Sequence, residues 1–325
     1  MTGIAEKADH AQQRRRRLGI AIATYKKFSE DKASNQAAMI AFWAFFSIFP
    51  LFLVFVTVLG YVLPASMKTN VLTGVAQLFP LLNLKTVSGL SGDWWPLVVG
   101  GVSALWSGTS VVKTVLYAFN NVWELPEKDR PNLLEKIWRS VLALASVGAG
   151  LVITTMITGV ATGSQSQLDV TWYYRIGGYA VSLIADVALF MVAYRLLTSR
   201  KVSFRDVRPG ALLSGIAFFV LQSLSALVIS RYLKSAQGTY GNFAVVITML
   251  WWFYLQAQIM LLGAELNVVL RERLHPRSLV GGPETKADNR ALDSYAKQQT
   301  YHEEQEVHTT IDGEPVQQRR RRSSR

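Results

Sequence analysis

The chain has 325 residues, of which 50% are hydrophobic and only 17% are charged, whereas soluble globular chains carry about 25% charged residues. This deficit argues against an ordinary soluble protein and indicates a membrane protein. The net charge is +12, and the chain has no cysteine, which excludes disulfides, thiolate metal sites and cysteine nucleophiles.

Six stretches meet the requirement of about 20 mainly apolar residues for a transmembrane helix. In chain order they are 37–63, 95–119, 137–162, 177–197, 209–233 and 243–270. The first is too long and lies too far from the N-terminus for a cleaved signal, so we expect a retained anchor. Serines and Lys113 lower the hydrophobicity of the second span. The sequence leaves open whether that span crosses the membrane fully or returns to the side from which it entered.

These spans predict an all-α fold, a polytopic membrane helical bundle with about six transmembrane helices. The predicted organisation is a basic N-terminal segment (1–36), a six-helix transmembrane domain (37–273) and a disordered polar tail (274–325). Lysines and arginines alternate between loops in the way that predicts both termini on the cytoplasmic side. Because the basic residues cluster in the tails, we expect these to attract anionic lipid and not nucleic acid.

The sixth span carries polar residues on two of its faces, within the stretch QAQIMLLGAELNVVLRER. At about 100° per residue, Gln258 and Glu265 share one face with Tyr254. Nearly opposite lie Gln256, Gly263 and Asn267. Hydrocarbon offers no hydrogen-bond partner to either face. We therefore predict that this span is a central helix enclosed on both sides.

The second span contributes a stripe of polar residues that is expected to face the bundle interior: Ser103, Ser107, Ser110, Lys113 and Tyr117. Lys113 and Glu265 lie at about the same depth, so we predict that they pair directly or through water. The alternative is that both long side chains reach separately to the interface.

Asp186 lies near the middle of the fourth span, and Gln222 in the fifth is the polar residue that could lie level with it. A mid-membrane carboxylate indicates a proton or cation relay, or a contact with a polar substrate. The alternative is a protonated aspartate hydrogen-bonded between helices. Pro50, inside the first span, is expected to kink that helix.

Three stretches together resemble the YihY/BrkB family of bacterial inner-membrane proteins: AFWAFFSIFPLFLV, ALWSGTSVVKTVLYAFNNVWE and YGNFAVVITMLWWFYLQAQIMLLGAELNVVL. The resemblance covers roughly residues 26–273, with Trp251 and Trp252 as a mild departure. The matching positions are Ser47, Pro50, Trp106, Ser107, Lys113, Asn120, Trp123, Tyr240, Gly241, Gln258, Gly263, Ala264, Glu265 and Asn267. The resemblance implies a six-helix membrane protein. Members of the family have been named for virulence, for serum resistance or as ribonuclease BN.

Three functions follow from these observations. Transport or export, including lipid translocation, ranks first because of the charges within the spans, and no Walker A sequence indicates an ATPase. A scaffold that recruits envelope partners, or self-associates, is close behind. A ribonuclease ranks last, because all four histidines, His10, His275, His302 and His308, lie in terminal segments. We accordingly expect no catalytic residue, metal or cofactor.

Overall fold

The computed structural model describes residues 9, 15–62, 95–130, 132, 135, 138, 142, 172–200, 202–278, 285–311 and 314–315. The helices of these residues are α1 (Arg16–Glu30), α2 (Ala33–Val62), α3 (Trp95–Val122), α4 (Trp172–Leu197), α5 (Phe204–Ser223), α6 (Ser225–Tyr240), α7 (Ala244–Arg271) and α8 (Lys286–Gln298). Two short 3-10 turns, Glu127–Asp129 and Gly241–Phe243, connect them. Strands β1 (Thr310–Ile311) and β2 (Glu314–Pro315) form one small antiparallel ladder. The predicted all-α architecture is confirmed.

Four predicted spans correspond to single helices: the first to α2, the second to α3, the fourth to α4 and the sixth to α7. By length and composition, three stretches of the described residues could cross a membrane: Ala33–Leu51, Ile176–Leu197 and Ala244–Arg271. The third predicted span, apart from Trp138 and Leu142, lies outside the described residues. The total of six spans and the side on which the termini lie stay predictions.

The fifth predicted span is wrong as one continuous helix, because α5 ends at Ser223 and α6 begins at Ser225. Leu224 between them has φ −93° and ψ 2°, outside the helical region. The hydroxyl of Ser223 donates to the carbonyl of Phe219 at 2.8 Å, an interaction that tends to bend a helix.

The central position predicted for the sixth span is confirmed. Helix α7 packs against α1, α2, α3, α5 and α6, while α2 packs along α3 and α4 along α5. Burial is greatest in its C-terminal half, where Leu261, Ala264 and Val268 are at most 1% exposed. This half organises the interior of the bundle.

Helices α5 and α7 approach closely at Gly210 and Gly263, where the Tyr194 side chain of α4 also reaches α7. A Cβ at Gly263 would overlap the hydroxyls of Ser214 and Tyr194, and one at Gly210 would overlap the Gly263 carbonyl. The hydroxyl of Tyr194 donates to the carbonyl of Met260 at 2.7 Å and lies 2.6 Å from that of Ser214. Close approach of α5 and α7 therefore depends on these glycines.

The prediction of disorder in the tail is wrong for residues 286–298, which form α8. A capping box of Thr285 and Asp288 starts the helix, because each side chain satisfies a backbone N–H that the first turn leaves free. Asp288 also accepts from Arg277 at 2.8 Å and from Lys26 at 3.2 Å. These contacts fasten α8 to α1.

Candidate functional site

A buried group of four charged side chains lies on the other face of α7, and we call it the Lys27 cluster: Lys27, Asp31, Glu124 and Glu265. The ammonium Nζ of Lys27 lies 3.0 Å from Glu124 Oε1 and 3.3 Å from Glu265 Oε2, and it also pairs with Asp31. It donates in addition to the carbonyl of Val122 at 3.0 Å. Exposure of the four side chains does not exceed 5%.

Three separate elements bring these side chains together. Lys27 and Asp31 lie one turn apart at the end of α1, just before a turn in which Lys32 has φ +52°. Glu124 follows α3 with φ +49°, a left-handed conformation that glycine or asparagine adopts more readily. Glu265 comes from α7, about 9 Å along the helix axis before its end at Arg271.

The cluster contains more acidic than basic groups. With all four groups ionised, Lys27 would neutralise one carboxylate and leave two negative charges buried, which is strongly unfavourable. Apart from their ion pairs with Lys27, Glu124 Oε1 and both oxygens of Glu265 accept no hydrogen bond among the described residues. Burial of three carboxylates beside one cation favours the neutral form of a carboxyl group, so the cluster is suited to hold at least one proton.

The pKa values of the groups outside the spans agree with this arrangement. Burial lowers the pKa of Lys27, but the carboxylates of Glu265, Glu124 and Asp31 outweigh it and raise the pKa above 10.5. Burial raises the pKa of Glu124 above 4.5, against the attraction of Lys27. Lys27 therefore stays charged while Glu124 gains affinity for a proton. No group of three His, Cys, Asp or Glu in the described part of the chain could hold a metal ion.

Helix α8 covers the cluster. The ring centroid of Tyr295 lies 5.6 Å from Lys27 Nζ, and its hydroxyl donates to Glu30 at 3.1 Å. Farther along, Gln298 donates to Asn121 at 3.2 Å. Tyr295 therefore separates Lys27 from the surface.

A cavity of about 580 Å³, here called the α8 cavity, lies beside this cover. Its walls include Glu30, Asp31, Glu127, Arg130 and Tyr295. Asp31 therefore belongs to both the cavity wall and the Lys27 cluster. The cavity therefore reaches the edge of the cluster at Asp31.

The predicted pair of Lys113 and Glu265 is wrong. Glu265 is fully buried against Lys27, and Lys113 is exposed on α3. The stripe on α3 does not face inward as a whole, because Ser107 is 3% exposed while Tyr117 is 49% exposed. Ser107 donates within its own helix, to the carbonyl of Ser103 at 2.8 Å.

Asp186 is buried on α4 with 2% exposure, one turn from the fully buried Ser182. Its carboxylate makes no ion pair or hydrogen bond within the described ranges. Val187 of α4 packs against Gly215 of α5, and from this contact Gln222 lies about two turns beyond the level of Asp186. The structure therefore does not bring Gln222 to Asp186.

Pro50 lies inside the continuous helix α2, and its kink stays a prediction.

The remaining predicted polar residues mark the two faces of α7 as expected. Gln258 donates weakly to Ser34 at 3.4 Å, and the hydroxyl of Tyr254 lies 2.5 Å from the same serine. On the opposite face, Asn267 Oδ1 accepts from the backbone N–H of Gly210 at 2.7 Å. The division of α7 into two polar faces is confirmed.

Sequence reasoning missed Lys27, Asp31 and Glu124 as members of a site. Lys27 is one of several basic residues in the N-terminal segment, where a positive charge is expected in any case. The available signal was the pair Lys27 and Asp31 at a spacing of four on an amphipathic helix. Only the fold shows that this pair is buried against α7.

Comparison with known proteins connects the chain to one family. The family model described as Virulence factor BrkB matches residues 24–288. A ribonuclease-like protein of Bacillus subtilis, YfkH, is 24% identical over 77% of this chain and 94% of the relative. A UPF0761 membrane protein of Photobacterium profundum is 27% identical over 83% of this chain and 86% of the relative. No solved structure matches the chain.

Proposed function

Because the chain belongs to the Virulence factor BrkB family and is a multi-pass membrane protein, we propose that it transports a lipid or small amphiphile across the bacterial inner membrane. The Lys27 cluster serves in this proposal as its proton-binding element. The observation that carries the proposal is the excess of buried carboxylates around one lysine. Ionisable residues buried in a membrane protein mark proton relays and substrate paths.

The mechanism follows from the position of the cluster between the α8 cavity and the central helix. A proton enters through the cavity at Asp31 and neutralises one carboxylate. The loss of one negative charge weakens the attraction between Lys27 and Glu265, which connects α1 to α7. Proton binding and release would thus favour different positions of α1 against α7. Asp186, unpaired within the described residues, is the proposed polar contact farther into the membrane.

The test is translocation of a fluorescent phospholipid in proteoliposomes with an imposed pH gradient. We expect the wild type to move lipid faster than empty liposomes and to respond to the gradient. Glu265→Gln should lose the response, because it removes one titrating group without changing its size, and Asp186→Ala should abolish movement. The control is Glu304→Gln, an exposed carboxylate that belongs neither to the cluster nor to the wall of the α8 cavity. Equal rates in wild-type and empty liposomes would contradict the proposal.

Two other functions are less well supported. A scaffold would present its tail to envelope partners or to a second copy, but α8 uses part of that tail for contacts with α1. A ribonuclease would be suggested by the name of the relative from Bacillus subtilis. The described histidines, His275, His302 and His308, all follow α7 in the chain, and none of them belongs to the Lys27 cluster or lines the α8 cavity. We therefore favour transport.

A further inference from the structure

A second cavity, of about 700 Å³, lies where α4 ends and α5 begins, and we call it the Arg195 cavity. Its wall combines two arginines, two hydroxyl residues and a series of apolar side chains. The members used below are Trp138, Leu142, Val192, Arg195, Thr198 and Arg200. It shares no wall residue with the α8 cavity.

The polar part of this cavity has unused hydrogen-bonding capacity. The guanidinium of Arg195 lies 4.1 Å from the ring centroid of Phe204, and it pairs with no carboxylate within the described ranges. Stacking on the ring face leaves the N–H groups at the guanidinium edge available to an anion. Thr198 is only 4% exposed, and its hydroxyl has no hydrogen-bond partner in the same part of the chain.

Arg200 adds a second positive charge, which the carboxylate of Glu272 partly neutralises. Its guanidinium lies 3.2 Å from Glu272, and both side chains are substantially exposed. An exposed ion pair of this kind contributes little to stability, so Arg200 can also turn to an anion in the cavity. The cavity therefore favours a ligand with at least one negative charge.

The apolar part of the wall is exposed as it would be against lipid. Trp138 is 69% exposed, Val192 46% and Leu142 44%. Ile184, farther along α4, is 68% exposed. Tryptophan and arginine occur together at the membrane interface, where one side contacts hydrocarbon and the other contacts headgroups. A free phosphate ion would leave this apolar wall without a partner.

We propose that the Arg195 cavity binds the headgroup of an anionic membrane phospholipid. The phosphate oxygens accept from Arg195, which can form two parallel hydrogen bonds, and the hydroxyl of Thr198 donates to the same group. The acyl chains lie against Trp138, Leu142 and Val192. Binding does not require transport; only the identification of this lipid as the transported substrate class rests on the proposed function.

The test measures lipid binding to the purified full chain in detergent by native mass spectrometry. The probes are phosphatidylglycerol, zwitterionic phosphatidylcholine and inorganic phosphate as a competitor. The variants are Arg195→Gln, Thr198→Val and the control Arg205→Gln, an exposed arginine in the first turn of α5 that does not line the cavity. Melting temperatures identify any variant that fails to fold.

We expect phosphatidylglycerol to bind more tightly than phosphatidylcholine. Arg195→Gln should weaken phosphatidylglycerol binding by roughly tenfold or more, as loss of a charge-assisted hydrogen bond does. Thr198→Val should weaken it by a smaller factor, and Arg205→Gln should not change it. If Arg195→Gln does not fold, the effect of Thr198→Val on phosphatidylglycerol binding tests the site.

Three results would overturn the site: equal binding of the two lipids, equal weakening by Arg195→Gln and Arg205→Gln, or displacement of lipid by inorganic phosphate at similar concentration. The first would indicate apolar contacts alone, the second general surface charge, and the third a free phosphate. Failure of the transport proposal is distinguishable, because translocation would then be absent while cavity-specific binding persisted.

Discussion

Glu124 occupies a conformation that its residue type does not favour. Its φ of +49° belongs to the left-handed region, and residues held there cost of order 1–3 kcal/mol. The side chain thereby reaches Lys27, 3.0 Å away. A glycine would relieve the strain but would remove a carboxylate from the cluster. The strain therefore supports a functional role for this glutamate.

The raised pKa of Glu124 predicts a specific dependence of stability on pH. Burial raises the pKa in the folded state above 4.5, so the folded protein binds more protons than the unfolded chain at pH values between the two pKa values. Stability then rises as pH falls through this interval toward 4.5. Glu124→Gln should reduce that slope, as measured by melting temperature in detergent from about pH 8 to about pH 5. Glu304→Gln, an exposed carboxylate outside the cluster and the α8 cavity wall, is the matched control. Equal slopes in wild type and Glu124→Gln would refute the assignment.

Individual residue pairs were predicted less well than positions along a helix. Lys113 and Glu265 lie at similar depth, but depth does not determine which face of α3 meets α7. Lys27 reaches Glu265 because α1 folds back against α7, a long-range contact that no local pattern encodes. Pairing of buried charges depends on tertiary packing, whereas the position of a residue along a helix follows from the number of residues that precede it in the helix.

Helix α7 was predicted more completely than any other element. Its two polar faces follow from helical periodicity, and both are present in the contacts with Lys27 and Gly210. The break in the fifth span could not be predicted in the same way, because Leu224 is itself a good helix former. The interruption depends on local hydrogen bonding by Ser223.

The glycine face of α7 gives a prediction at the scale of helix packing. Gly263→Ala should destabilise the protein by about 1–3 kcal/mol or more, because its methyl group would overlap Ser214 and Tyr194. At Gly101 on α3, no atom of the described residues lies within 4 Å of an added Cβ, so Gly101→Ala should be neutral or slightly stabilising. Unfolding of both variants in detergent would measure the difference. Equal effects of the two changes would show that close packing at Gly263 is not required.

Across the whole molecule, the polar C-terminal segment forms part of the bundle. Burial opposes ionisation of Asp288, but hydrogen bonds from Ser278, Thr285 and Arg277 outweigh it and keep its pKa below 3.8. Asp288 consequently stays charged at neutral pH and holds α8 over the Lys27 cluster. The low hydrophobicity of this segment made it resemble a disordered tail. Its order comes from ion pairs with Lys26 and Glu30, which composition does not predict.

The central claim for the whole molecule is that the Lys27 cluster holds an exchangeable proton. Infrared difference spectroscopy of the reconstituted full chain at neutral pH measures this directly, through the carbonyl stretch of a protonated carboxyl group. We expect a band that is reduced in Glu265→Gln or Glu124→Gln and retained in the control Glu304→Gln, and that shifts on exchange into heavy water. The control variant is Glu304→Gln, because its exposed carboxylate lies outside both the cluster and the α8 cavity wall. If the two cluster variants leave the wild-type band unchanged, the cluster holds no carboxyl proton, and the account of proton-linked transport is contradicted.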